Sequence, residues 1–192
     1  LANKMVNVNP GPKPFLEDRK VPVVDTERKL YGTRDEFLRL GAEEFTQKVY
    51  RSQKLYVTDT TMRDGQQSLL ATRMRTKEVA GATNLYLKDA YSIEAWGGAT
   101  YDTEYRFLKE SPWKRLDILR ERMPNVMIQM LLRASNVVGY STYPDNVIKK
   151  FIKVSSDHGV DIYRIFDSMN WMENMKLPVE EALKTGKIVE GA

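Results

Sequence analysis

The chain has 192 residues, 42% of them hydrophobic and 29% charged, which suits a single globular domain, with or without an extension, and an ordinary charged surface. Its net charge of +4 is spread among mixed signs rather than gathered into a block, as in "ESPWKRLDILRERM", which argues against a nucleic-acid binder and suits small anionic substrates. No apolar run approaches the roughly 20 residues of a membrane-spanning helix. The absence of cysteine removes disulfides and thiolate metal sites, and a single histidine, His158, cannot build a site that needs several.

In chain order, residues 1–32 read as an extended linker, because Pro10, Pro12, Pro14 and Pro22 crowd this stretch with few apolar neighbours. No secretion signal is visible in "LANKMVNVNPGPKPFLEDRK". A lead-in segment at 33–54 carries a helix from Thr33 to about Val49, with Thr33 or Asp35 as cap and Phe37, Leu38, Leu40 and Phe45 as its apolar positions. "KLYVTD" is a first strand. "TKEVAGATNLYLKDA" places Val79, Ala82, Tyr86 and Ala90 at helical spacing, and "YSIEAWGG" is a second strand closed by glycines.

Two helical pieces follow, "DTEYRFLKE" and "SPWKRLDILRERM", the second with Ser111 as cap and Pro112 in its first turn. "NVMIQMLLRAS" is a third strand. "YPDNVIKKFIKVSSDHG" is a helix burying Val147, Ile148, Phe151 and Ile152 and stopping at Gly159. "VDIYRIFDSMN" is a fourth strand, and the remainder begins another helix. Strands alternating with helices at this spacing predict parallel βαβ units. Each strand runs into polar residues, and the carboxyl ends of parallel strands are where such folds build sites. Four units make half of an eight-stranded barrel, which leaves two edges open.

The motifs "DTTMRDGQQSLLATRMRT", "WGGATYD", "QMLLRASNVVGYSTYPDNV" and "YRIFDSMNW", in order over about residues 55–192, resemble the carboxyltransferase domains of pyruvate carboxylase and of the related oxaloacetate decarboxylase and transcarboxylase subunits. "MVNVNP" is also similar to the segment that leads into this domain in pyruvate carboxylase. The resemblance implies an α/β fold, a TIM-type (β/α)8 barrel of which residues 55–192 cover the first four βα units. It implies transfer of a carboxyl group from carboxybiotin to pyruvate, giving oxaloacetate through a metal-stabilised enolate.

By position it also implies roles for individual residues. Asp64 resembles the metal-ligating aspartate, for zinc or manganese, and Arg63 the arginine that steadies the enolate oxygen. Gln67 and Arg133 resemble the pair that holds the pyruvate carboxylate. Asp102 and Tyr140 resemble residues of the biotin pocket. Biotin would ride on a carrier domain outside this chain, ATP and bicarbonate would be used elsewhere in the enzyme, and the whole would be a homo-tetramer in a bacterial cytoplasm or mitochondrial matrix. This set suits the chemistry, since a divalent cation and a guanidinium both stabilise negative charge on a ketone oxygen.

The pattern departs from the family at "RDGQQS", where "RDAHQS" is usual, and the region between Thr76 and Trp96 is about three residues short. "RDGQQS" leans towards barrel lyases and synthases that begin "RDGEQ". The family's carbamylated lysine, two metal-binding histidines and proton-moving threonine lie on later strands, so this chain alone is expected to be inactive, a half barrel held by pairing through its edges. Simpler readings stand beside these roles. Asp59 and Asp64 would cap the next helix, Arg133 would be an ion-pair partner, Tyr140 would pack at a loop edge, and Asp167 and Asn170 would cap a helix. Trp96 reads as core, and His158 as a solvent-facing residue ending a helix.

Overall fold

A computed structural model describes residues 31–83 and 90–192 of the chain. Residues 1–30 of the expected linker and 84–89 of the expected second helix lie outside the described residues. Two helices come first, α1 (Thr33–Leu40) and α2 (Ala42–Arg51), where the spacing predicts one. Gly41 divides them at φ 79°, a left-handed conformation that glycine adopts without a Cβ penalty. Asp35 accepts a hydrogen bond from Gly32 N at 2.8 Å and so secures the first turn, while the Thr33 hydroxyl donates instead to Tyr91 O at 2.8 Å. The break lets Phe37 and Phe45 meet edge to face, with centroids 6.0 Å apart.

Five strands follow: β1 (Thr58–Asp59), β2 (Ser92–Gly97), β3 (Met127–Leu132), β4 (Ile162–Ile165) and β5 (Ile188–Gly191). They pair in sequence order, every pair parallel. Between them run α3 (Gln66–Leu70), α4 (Thr76–Gly81), α5 (Gly98–Thr103), α6 (Pro112–Arg122), α7 (Asp145–Asp157) and α8 (Met172–Lys184). The expected parallel α/β half barrel is therefore present: four complete βα units and a fifth strand. β5 is short, follows Lys187 and contains Glu190, and its ladder with β4, not its own pattern, makes it a strand. Among the described residues no helix is long and apolar enough to cross a membrane.

The helices form as their sequences ask. Ser111 Oγ accepts from Lys114 N at 3.3 Å, with Pro112 in the first turn of α6. In α7, Ile148 and Ile152 are buried and Phe151 packs against the core, but Val147 is exposed, because it sits in the first turn beyond the edge of the sheet-facing stripe. α4 stops at Gly81 rather than continuing. Trp96 is fully buried, stacked on Phe151 at 6.0 Å and tilted against Trp113 at 5.3 Å.

The inner face of the sheet has two layers. At its amino end Met127, Ile162 and Ile188 pack with Phe37 and Phe45, so α1 and α2 seal that end with apolar surface. Nearer the carboxyl end the same face carries Glu94, Gln129, Arg164 and Glu190. Just below, Asp161 has no exposed surface and ties the parts together. It accepts from Ile128 N at 3.1 Å, and from Arg34, Arg120 and Lys187, which come from α1, α6 and the β5 approach. Breaking a buried ion pair from one side typically costs about 3–5 kcal/mol. Asp161→Ala is expected to lower unfolding free energy by about that amount in urea titrations, since three cations lose their carboxylate.

A second buried acid behaves differently. Glu104 follows α5 and is fully buried, and Arg115 Nε lies 3.0 Å from its Oε1. That N–H is directed at Thr76 Oγ1 at 2.9 Å instead, and neither Glu104 oxygen receives a hydrogen bond. Burial therefore outweighs the nearby cation and pushes the Glu104 carboxyl up to about 8. Glu110, half-buried on the other side of Arg115, goes the opposite way: despite burial, hydrogen bonds from Thr76 and Arg115 hold it near 2. Because Glu104 keeps its proton in the folded chain where the unfolded chain releases it, its contribution is full below about pH 4 and is lost as pH rises to about 8. Glu104→Gln is expected to flatten that decline and raise stability above pH 8 by roughly 3–5 kcal/mol, read from urea midpoints across pH.

Candidate active site

At the carboxyl end of β1 the chain enters a wide turn, Thr61–Gly65, in which the N–H groups of Arg63, Asp64 and Gly65 all converge on Thr60 O at 3.2, 2.8 and 3.1 Å. Asp59 accepts from Thr61 N at 2.7 Å, so this first aspartate serves the turn. The turn sends Arg63 inward and Asp64 outward. Arg63 is 9% exposed, and its Nε donates to Glu94 Oε1 at 2.7 Å, with Nη2 against the same oxygen. Its Nη1 donates to Asp64 Oδ1 at 3.0 Å, and the Asp64 side chain is half exposed.

Glu94 itself has no exposed surface. Its second oxygen accepts from Gln129 Nε2 at 3.2 Å and Arg164 Nη1 at 3.4 Å, and Arg164 Nε lies 3.4 Å from Glu190. Gln129 in turn accepts from Ser92 Oγ at 3.1 Å, which meets Thr58 Oγ1 at 2.8 Å. The sequence signal for this layer is a polar residue inside each otherwise apolar strand, "SIEAWG", "MIQMLL" and "IYRI", at positions that alternation places on one face.

After β3, Arg133 begins a tight loop. Its N donates to Val137 O at 3.1 Å, and Ala134 and Val137 take positive φ of 38° and 52°. Arg133 Nη1 donates to Val138 O at 3.2 Å and Gly139 O at 3.0 Å, and its Cζ lies 4.8 Å from the centre of the Tyr140 ring, which is 78% exposed. Among the described residues the Nε–Nη2 edge meets no acceptor, which leaves a fork suited to a carboxylate. Gly97 and Gly98 explain the "WGG" step. A Cβ at Gly97 would sit 3.4 Å from Arg63 Cδ, and one at Gly98 would sit 2.8 Å from Arg133 Nη1. Two guanidinium-bearing side chains thus flank one backbone step.

The structure brings Arg63 with Asp64, and Arg133 with Tyr140. Gln67 is half buried on α3 and makes no hydrogen bond to these groups; its neighbour Gln66 is the buried one, donating to Met62 O at 2.6 Å. Asp102 pairs with Arg106 one turn on, at 2.9 Å. Asp167 braces the turn before α8 rather than capping the helix, whose N-cap is Trp171: it accepts from Trp171 N, Asn174 Nδ2 and Met169 N, contacts that hold its carboxyl below the usual range. His158 ends α7, half buried against Trp113 and bonded to Asp117 at 2.5 Å. A cavity of about 440 Å³ at the strand ends is lined by Arg63, Arg164, Asp167 and Asn170. Larger cavities lie on the helical surface away from this polar layer, one of about 600 Å³ beside Lys153 and Lys184, which pair with Asp157 and Glu181. Among the described residues no three metal-ligating groups lie together, so these residues offer a metal the Asp64 carboxylate but not a closed site.

A parallel half barrel with arginines gathered at its strand ends is a segment of a TIM-type barrel. It superposes on the carboxyl transferase domain of Rhizobium etli pyruvate carboxylase with oxamate and biotin, at TM-score 0.86 and 43% identity, over 94% of this chain and 31% of that one. The same domain with pyruvate gives 0.84 over the same shares.

The chain is a homologue of the pyruvate carboxylases. It is 47% identical over 194 residues to the Staphylococcus aureus enzyme, covering 98% of this chain and 17% of that protein. It is 48% identical over 190 residues to the mouse mitochondrial enzyme, covering 97% and 16%. The chain thus spans about a sixth of these relatives' length. No family model matches the chain.

Gly98→Ala is expected to push the Arg133 guanidinium off the Val138 and Gly139 carbonyls, with a loss of about 1–3 kcal/mol, the usual range for overpacking. Thermal unfolding would register the cost, and a crystal structure of the variant the displacement.

Proposed function

We propose that this chain forms the first half of the carboxyltransferase site of a biotin-dependent pyruvate carboxylase. The observation that carries this reading is the pair of arginines, Arg63 and Arg133, set on either side of the Gly97–Gly98 step at the strand ends. Pyruvate has two sites of negative charge to satisfy, a permanent carboxylate and a ketone oxygen that becomes an enolate. In this reading Arg133, through its free Nε–Nη2 edge, and Gln67 hold the carboxylate, and Arg63 faces the ketone oxygen.

Loss of a methyl proton gives the enolate, whose methylene carbon attacks CO₂ released from carboxybiotin. A carbon–carbon bond forms, the carboxyl–nitrogen bond of carboxybiotin breaks, and the ureido nitrogen of biotin regains a proton. Biotin, on its carrier domain, enters beside Asp102 and Tyr140. The exposure of Tyr140 over Arg133 supports that side as the entrance. Asp64 contributes one carboxylate ligand to a zinc or manganese ion whose other ligands come from outside these residues. When bound, the ion adds Lewis-acid stabilisation of the enolate.

ATP and bicarbonate are consumed elsewhere in the enzyme to carboxylate biotin, and the assembled protein is a homo-tetramer of the bacterial cytoplasm or mitochondrial matrix. The relatives named above are pyruvate carboxylases, which favours this reading over a lyase or synthase of the "RDGEQ" kind. The test is kinetic, in the carboxylase that carries this chain. Arg133→Gln is expected to raise KM for pyruvate by about 10–100-fold, and Arg63→Ala to lower kcat by about 100-fold or more. An unchanged KM in the first and an unchanged kcat in the second would remove the proposed roles.

A further inference from the structure

Resting on that reading of Arg63, we propose that Glu94 is the positioning residue of the site, fixing the Arg63 guanidinium through a fully buried carboxylate shared with Gln129 and Arg164. Three of the five N–H donors of Arg63 face carboxylates: Nε and one Nη2 hydrogen face Glu94 Oε1, and one Nη1 hydrogen faces Asp64. Two N–H donors remain, one on each terminal nitrogen, for an oxygen in the adjoining cavity.

Glu94 cannot swing to follow a moving arginine. Its other oxygen is held by Gln129 from β3 and Arg164 from β4, and Arg164 Nε lies 3.4 Å from Glu190 on β5. Gly97 leaves the aliphatic stem of Arg63 its room, since a Cβ there would sit 3.4 Å from Arg63 Cδ. The direction of one guanidinium is thus set by side chains from three strands at once. A preorganised donor stabilises developing charge because it does not have to reorient as the charge forms. Glu94 acts through Arg63 and does not touch substrate.

A double-mutant cycle in the carboxylase that carries this chain tests the inference. Glu94→Gln keeps the volume and an acceptor but removes the charge. It is expected to lower kcat at least about tenfold while KM for pyruvate, set at Arg133, stays within about twofold. Arg63→Lys lowers kcat on its own, and the Arg63→Lys/Glu94→Gln double variant is expected to match Arg63→Lys within about twofold.

Losses that multiply would overturn the proposal, because Glu94 would then act independently of Arg63. If Arg63→Lys is slow but Glu94→Gln is not, the positioning role falls and the reading of Arg63 stands. If Arg63→Lys retains full kcat, both fall. Should Glu94→Gln not fold, Gln129→Leu removes one of the donors that lock Glu94 and leaves Arg63 untouched. It is expected to lose kcat severalfold, an effect absorbed in the Arg63→Lys background, and its failure to do either would count against the inference equally.

Discussion

A carboxylate with no exposed surface must be met by positive charge and hydrogen-bond donors, and the way Glu94 is met governs the interior of this half barrel. Arg63 arrives from the turn after β1, Gln129 from β3 and Arg164 from β4, and each is brought to Glu94 by the parallel register of the strands. Because all strands run the same way, their carboxyl ends share one rim. The residue that satisfies Glu94 therefore also stands at the place where parallel α/β folds build sites.

The two ends of the sheet's inner face do different work. At the amino end Phe37, Phe45, Met127, Ile162 and Ile188 make a dry floor, and Asp161 binds the arginines of α1 and α6 and Lys187 to the strand backbone. At the carboxyl end the polar layer opens into a cavity, and arginines stand with unused donors. Holding the floor rigid lets the rim carry charge that a fully packed core would exclude.

Much of this was legible in the sequence. The alternation of apolar runs with helical spacing predicts four βα units, and the polar residues closing each strand mark the rim. Ser111–Pro112 marks a helix start and Trp96 a core position, as found. Other features escaped because their cause is tertiary. Gly41 splits the lead-in helix to let two phenylalanines meet, β5 is a strand only by pairing with β4, and Val147 lies just off the buried stripe. Asp102 has the composition of a pocket residue, yet its nearest cation, Arg106, stands one turn away on its own segment. Glu94 was the largest omission. An acid inside "SIEAWG" is visible at a glance, but its meaning depends on Gln129 and Arg164, which strand register brings to it, and on Arg63, which the turn after β1 sends inward.

The most direct test of this account is the Nε–H resonance of Arg63 in a ¹⁵N NMR spectrum of the 192-residue chain. An arginine pinned to a buried carboxylate gives a slowly exchanging, shifted signal, distinct from those of solvent-exposed arginines, and Glu94→Gln should return it to their envelope. A signal that already exchanges with water as fast as exposed arginines in the unaltered chain would contradict the claim that Glu94 fixes Arg63.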